Sequence, residues 1–160
     1  MVMNAGSGFW HSEETLADDP PLRMLQIFVR PHSLDLEPAI QHEAISVSVP
    51  NEWRHLFGPE GTDAPLSVRN DVDFYDCRLD ASGTVTLPSR PGCHTYLYVF
   101  EGAVHIGEVS VGSTESALVT DDGDLTDNGD MAVTATEDST LVAFVINPTA
   151  QITRQGTIGR

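Results

Sequence analysis

The sequence predicts an all-β protein, a sandwich or closed barrel built from about ten short strands. Three observations carry this. Short apolar runs with period-two alternation recur along the chain. Thirteen glycines and ten prolines punctuate them as turns. No segment carries an apolar stripe of helical period over a useful length. The 160 residues suit one ordinary domain, and a hydrophobic content of 40% supports a real core rather than disorder.

Residues 22–29 read as a strong strand that Pro31 ends, and Ile45-Ser46-Val47-Ser48-Val49 as a clean alternating strand. Residues 50–65 read as an irregular connection, helical at most over 52–56. Residues 66–68 lead into a strand over 72–79. The apolar phase changes there between Phe74 and Tyr75, which predicts a bulge in that strand. Asp80-Ala81-Ser82-Gly83 reads as a turn, and Val85 and Leu87 alternate before Pro88. Residues 94–106 form the longest apolar stretch, divided by a turn at Glu101-Gly102. Further strands are expected over 116–120, 131–136 and 140–146, with an acidic turn over 121–130. The polar tail from Pro148 is expected to fray.

The formal net charge is −16, from 24 acidic and 8 basic residues, and every basic residue is arginine. Such a surface repels nucleic-acid backbones and anionic membranes. Two readings of this charge compete, a binding surface for cations or a basic partner and solvation in a salt-rich (halophilic) cytoplasm; the spread of the acidic residues along the chain favours the second. Cys77 and Cys93 form no Cys-x-x-Cys pair and read as reduced thiols of a cytoplasmic protein. No apolar run approaches the roughly 18 residues of a membrane span, and the N-terminus lacks the pattern of a secretion signal.

The chemistry-bearing stretch is Ala5-Gly6-Ser7-Gly8-Phe9-Trp10-His11-Ser12-Glu13. On extended backbone, His11 and Glu13 point to one face. An imidazole and a carboxylate so placed suit two ligands of a divalent transition metal such as Fe(II).

Two stretches resemble the pirin family of bicupins. The first runs from Met3 to Glu13 and is similar to that family's Ala-Gly-x-Gly-x-x-His-Ser-Glu. The second, Leu25-Gln26-Ile27-Phe28-Val29 followed by Leu36-Glu37-Pro38-Ala39-Ile40-Gln41, resembles its Leu-Gln-Leu-Trp and Glu-Pro-x-Tyr-Gln segments. The run from Tyr96 to Gly107 resembles the strand–turn–strand core of a cupin. The resemblance implies a cupin-type β-sandwich or barrel with a remnant of a first cupin. Residues 1–42 would be the end of that first cupin, 43–65 a connection, 66–150 the C-terminal cupin and 151–160 the tail. It also implies that His11 and Glu13 are metal ligands, with Glu13 orienting substrate or acting as base. The family's His-x-His pair has no counterpart and would lie upstream of Met1, so the metal site is incomplete in this chain. The activity implied is metal-dependent oxidation of flavonols, of the quercetin 2,3-dioxygenase type, impaired by the missing ligands. The alternatives are a non-catalytic cupin module for protein interaction or redox sensing, and a truncated gene product. Without the other half, residues 22–41 would expose an apolar face, so self-association or a partner subunit is expected.

The remaining candidates have plainer readings. The second cupin lacks a His-x-His pair and is expected to be metal-free, with His94 and His105 ordinary sheet residues. His32, His42 and His55 are expected in or beside loops. Asp124, Thr126, Asn128 and Gly129 fit four positions of a calcium loop, but Ala135 stands at the twelfth, which excludes an EF-hand.

Overall fold

The computed structural model describes residues 1–8, 10–12, 14–120 and 131–154. The acidic stretch 121–130, with its calcium-loop positions, lies outside them. The described residues form twelve strands and no helix, as the all-β expectation required. β1 (Val2–Asn4) and β2 (Ala39–Gln41) make a small antiparallel sheet. β3 (Trp53–Pro59), β4 (Leu66–Val68), β5 (Val72–Leu79), β7 (His94–Glu101), β10 (Ser116–Val119) and β12 (Ser139–Ile146) make a six-stranded sheet in the order β10-β7-β12-β5-β3-β4. β6 (Thr84–Thr86), β8 (Ala103–Ile106), β9 (Val109–Gly112) and β11 (Ala132–Ala135) make a four-stranded sheet in the order β6-β11-β8-β9.

The core lies between these two sheets. In β7, Thr95, Leu97 and Val99 face inward, while Tyr96, Tyr98 and Phe100 face outward. Leu141, Ala143 and Val145 do the same in β12, and Cys77 and Leu79 in β5. Val104, Ile106, Val111, Val133 and Ala135 meet them from the small sheet. Leu97, Val99, Val104, Val133, Leu141 and Ala143 are all 0% exposed, so the interior is filled by side chains. Both cysteines are free and buried. Burial, then the nearby Asp76 and Asp80 carboxylates, push the Cys77 thiol up to about 11 and keep it protonated at neutral pH.

The large sheet is apolar on its outer face too. Phe57, Phe74, Phe144 and Tyr96 form a row of rings across β3, β5, β12 and β7, with successive centroids 5.0, 4.7 and 6.2 Å apart. This corrects the expected bulge in β5. That strand pairs with β12 without a shift from Val72 to Leu79. Phe74 and Tyr75 are both apolar because both faces of the strand are covered. The shift falls instead on β3, between His55 and Phe57, making Leu56 the extra residue.

Three other expectations are corrected. Residues 53–59 form a strand rather than an irregular connection. Its alternation is masked by the bulge, and Gly58 and Pro59 imitate loop signals. Residues 22–29 and 45–49 join no ladder. Of their apolar residues, Ile27, Val29 and Ile45 lie on the outer face, against the cluster of Phe57, Leu66, Val68, Phe74 and Val142, while Val47 and Val49 are exposed. Arginines fasten this layer. Arg23 donates to the Phe100 carbonyl at 2.8 Å and pairs with Glu101 at 3.2 Å, its guanidinium 4.1 Å from the Phe100 ring centroid. Arg54 grips Asp76 with two hydrogen bonds, 2.9 and 2.5 Å, and donates a third to the Ser46 carbonyl. Finally, residues 151–154 do not hang free. Asn70 Nδ2 donates to the carbonyls of Arg30 and Gln151, at 2.6 and 3.2 Å, and Thr153 N–H donates to the Pro31 carbonyl at 3.0 Å.

Edge strand β4 is capped by a side chain. Gln41 Nε2 donates to the Ser67 carbonyl and Gln41 Oε1 accepts from Ser67 N–H, each at 2.8 Å. One amide thus supplies the two bonds that another strand would have made.

Leu97→Ala is expected to lower stability by about 2–5 kcal/mol in urea unfolding, because the packed interior cannot collapse onto the cavity. Gln41→Ala should cost about 1–3 kcal/mol by leaving half-buried backbone groups unpaired. Sedimentation of that variant should also show aggregation through the opened edge; a monodisperse sample of unchanged stability would contradict the capping role.

Candidate functional site

The N-terminal motif is built around Gly6. Its φ is +55°, and a Cβ there would lie 2.3 Å from the Leu36 carbonyl oxygen and 2.7 Å from Pro38 N. Only glycine allows residues 36–38 to cross so closely. Gly8 N–H then donates to the Ala5 carbonyl at 2.8 Å, turning the chain after β1. The two parts of the sequence that resembled the pirin motifs are therefore in contact. The turn leads to an exposed His11, while Glu13 lies outside the described residues.

A family metal needs at least three converging donors. Among the described residues, no three His, Cys, Asp or Glu side chains gather so as to hold an ion. His11 is brought to no such group, and the described donors do not fit the metal.

A second constellation, not anticipated from the sequence, sits where β5 begins. Asp73 shares the inner face of β5 with Tyr75, Cys77 and Leu79. Its side chain is only 8% exposed. The bulge at Leu56 turns both Leu56 and Phe57 toward the outer cluster and leaves His55 and Gly58 on the Asp73 side. His55 Nε2 lies 3.1 Å from Asp73 Oδ1, and its ring stacks on Tyr75 with centroids 4.4 Å apart. The Nε2 atom is buried and makes no well-directed hydrogen bond. Gly58 leaves room for the carboxylate: a Cβ there would stand 2.7 Å from Asp73 Oδ1. His55 is thus a strand residue with a carboxylate beside it, rather than the loop residue expected.

Arg90, from the connection between β6 and β7, closes the cluster. It forms an ion pair with Asp71, lies 3.8 Å from Asp73 Oδ2, and donates through Nε to Cys93 Sγ at 3.3 Å. Burial works against the Arg90 charge, yet the bonds to Asp71 and Cys93 hold its pKa above the usual arginine value. Burial and then the Asp73 charge raise the Tyr75 phenol. Burial opposes ionisation of Asp71 as well, but hydrogen bonds from Asn147, at 2.7 Å, and from Arg90 bring its carboxyl below the usual range. In sequence, the one visible signal was a charged Asp73 on the inward phase of an apolar strand.

A surface depression of about 340 Å³ lies beside this cluster, lined by His32, Glu60, Arg69, Asn70, Asp71 and Asn147 among others. Some of its polar groups pair within it, as in the 3.1 Å Arg69–Glu60 contact and the 2.7 Å Asn147–Asp71 hydrogen bond. No described residue of the His11 motif lines it.

The depressed Asp71 carboxyl makes a pH prediction. A carboxylate whose folded pKa lies below its unfolded value adds stability above the unfolded pKa, and loses it as pH falls through the folded one. The thermal stability of the parent chain should therefore fall below about pH 4 more steeply than that of Asp71→Asn. Parallel melting curves across the acid range would refute the depressed carboxyl.

Comparison with known proteins identifies the fold. Residues 55–145, more than half of the chain, match the family described as the quercetinase C-terminal cupin domain. A protein of Mycobacterium tuberculosis, provisionally named quercetin 2,3-dioxygenase, is 28% identical over 98 residues, covering 59% of this chain and 40% of its own length. A Mycobacterium bovis protein of the same name matches equally. The chain thus spans about two fifths of the curated relatives it matches. Among solved structures, the bacterial pirin YhhW of Escherichia coli, in complex with nickel(II), superposes with a TM-score of 0.61 at 18% identity, over 74% of this chain and 48% of that one. Quercetin 2,3-dioxygenase from Acinetobacter baumannii gives a TM-score of 0.50 at 18% identity, over 60% and 32%. At these identities the superpositions establish the fold, a cupin β-sandwich, and the sequence match establishes kinship: the chain belongs to the pirin family through its quercetinase C-terminal cupin domain.

Proposed function

We propose that the sandwich of this chain is a structural, metal-free cupin unit. Flavonol oxidation of the quercetin 2,3-dioxygenase type would take place only where His11 and Glu13 meet further metal ligands from a second cupin unit. The observation that carries this reading is the packed interior: six inward side chains, Leu97, Val99, Val104, Val133, Leu141 and Ala143, are 0% exposed. The names of the relatives supply the reaction class, and a bound metal would supply its oxygen chemistry. This chain would contribute the position of His11, set by the Gly6 turn, and a rigid sheet on which the N-terminal layer rests.

The same reading includes contact with that second unit, a copy of this chain or another subunit. Trp10 is 101% exposed, Val47 89%, Leu16 77%, Ile40 73% and Phe28 62%. Apolar side chains exposed in such number along one layer favour burial against a partner.

The test is metal analysis and oxygen uptake on the purified monomer. After incubation with Fe(II) or Ni(II) and desalting, the expected metal content is far below one equivalent, and quercetin should not raise oxygen consumption above the protein-free rate. A monomer that retains one equivalent and consumes oxygen with quercetin would sink the proposal.

A further inference from the structure

Three side chains of metal-ligating type, Asp71, Asp73 and Cys93, stand around one guanidinium where β5 begins, and a fourth, His55, reaches Asp73. Asp71 pairs with Arg90 Nη2, and Asp73 Oδ2 stands 3.8 Å from the same nitrogen. Cys93 Sγ accepts from Arg90 Nε at 3.3 Å. His55 Nε2 approaches the other oxygen of Asp73 at 3.1 Å, buried and without a well-directed hydrogen bond. Two carboxylates, a thiol and an imidazole are the donor set of a zinc- or cobalt-type site. They come from three separate parts of the chain.

We propose that Arg90 is a built-in cation that fills this His/Cys/Asp donor nest and so keeps the cupin barrel metal-free. The inference deepens the reading of the barrel as a structural unit and rests on it. Three arguments carry it. A carboxylate as buried as Asp73 needs a positive neighbour, and the guanidinium is the cation the fold provides. Guanidinium also cannot be deprotonated under ordinary conditions. A metal competing for these donors would have to displace a tethered cation rather than exchangeable protons. Size matters as well. Donors arranged around a guanidinium stand at hydrogen-bond range, whereas transition-metal bonds are about 2.0–2.3 Å. Among the described residues no three such donors converge so as to hold an ion.

Removing the guanidinium should therefore convert the nest into a site. In Arg90→Ala, Asp71, Asp73, His55 and Cys93 would close on a divalent ion, the Cys93 thiol releasing its proton to solvent as the metal–sulfur bond forms. Cobalt(II) is the probe, because thiolate coordination gives a charge-transfer absorption that carboxylates alone do not. Arg90→Ala should bind one cobalt per chain at least about tenfold more tightly than the parent chain, show that absorption, and melt at higher temperature with cobalt than without. Arg90→Lys, which keeps the charge, should not gain the site. Adding Cys93→Ser to Arg90→Ala should remove the absorption. Arg90→Gln is the second neutral variant should Arg90→Ala fold poorly. If neither neutral variant gains cobalt affinity or a cobalt-dependent rise in melting temperature, the proposal is wrong. It is equally wrong if the parent chain already binds cobalt through Cys93. Oxygen uptake by the unmodified monomer tests the structural reading separately, so the two can fail independently.

Discussion

The six-stranded sheet must be covered on both faces, and most of the molecule follows from that constraint. Its inner face meets the four-stranded sheet. Its outer face carries the Phe57–Phe74–Phe144–Tyr96 row, which would be unstable against water across four strands. The first fifty residues exist in their observed form because they cover part of that row. Their described residues have little regular structure of their own, the three-residue pairs of β1 and β2 and short turns such as that closed by Gly8 N–H on the Ala5 carbonyl. Their shape comes from the sheet beneath and from Arg23 and Arg54, whose planar forks bind carboxylate and carbonyl groups together. In a chain with so large an excess of acid, arginine serves as an internal fastener.

The fold was largely legible because sandwich strands carry their period openly. β7 buries every second residue and β12 is an apolar run of strand length, and each is evident in the sequence. The failures have one physical source. Alternation records which side of a segment is buried, not which backbone it bonds to. Residues 22–29 and 45–49 read as strands, yet they join no ladder, and of their apolar residues only Ile27, Val29 and Ile45 rest on the sheet. Conversely, β3 hid because the extra Leu56 shifts its phase halfway along. At Phe74 and Tyr75 the apparent phase change was simply an apolar residue on each covered face.

The candidate site divides the same way. The Ala5-to-Glu13 motif was readable because Gly6 is a backbone requirement that sequence displays directly. The Asp73 constellation was not readable. His55, Asp73 and Arg90 are separated by 18 and 17 residues, no short motif joins them, and their meeting depends on strand register. Their spacing becomes meaningful only after β3 is known to run antiparallel beside β5 with one residue in excess.

That excess residue imposes a different kind of constraint on the gene. Along β7, a change of residue alters a contact and leaves the others in place. Along β3, removing one codon at Leu56 would bring the strand back into simple register. His55 would still pair with Tyr75 and Phe57 with Phe74, and only the packing of Leu56 on the outer cluster would be lost. The bulge is thus the place where this strand can absorb a change of length, and the cluster depends on the residues on either side of it keeping their partners.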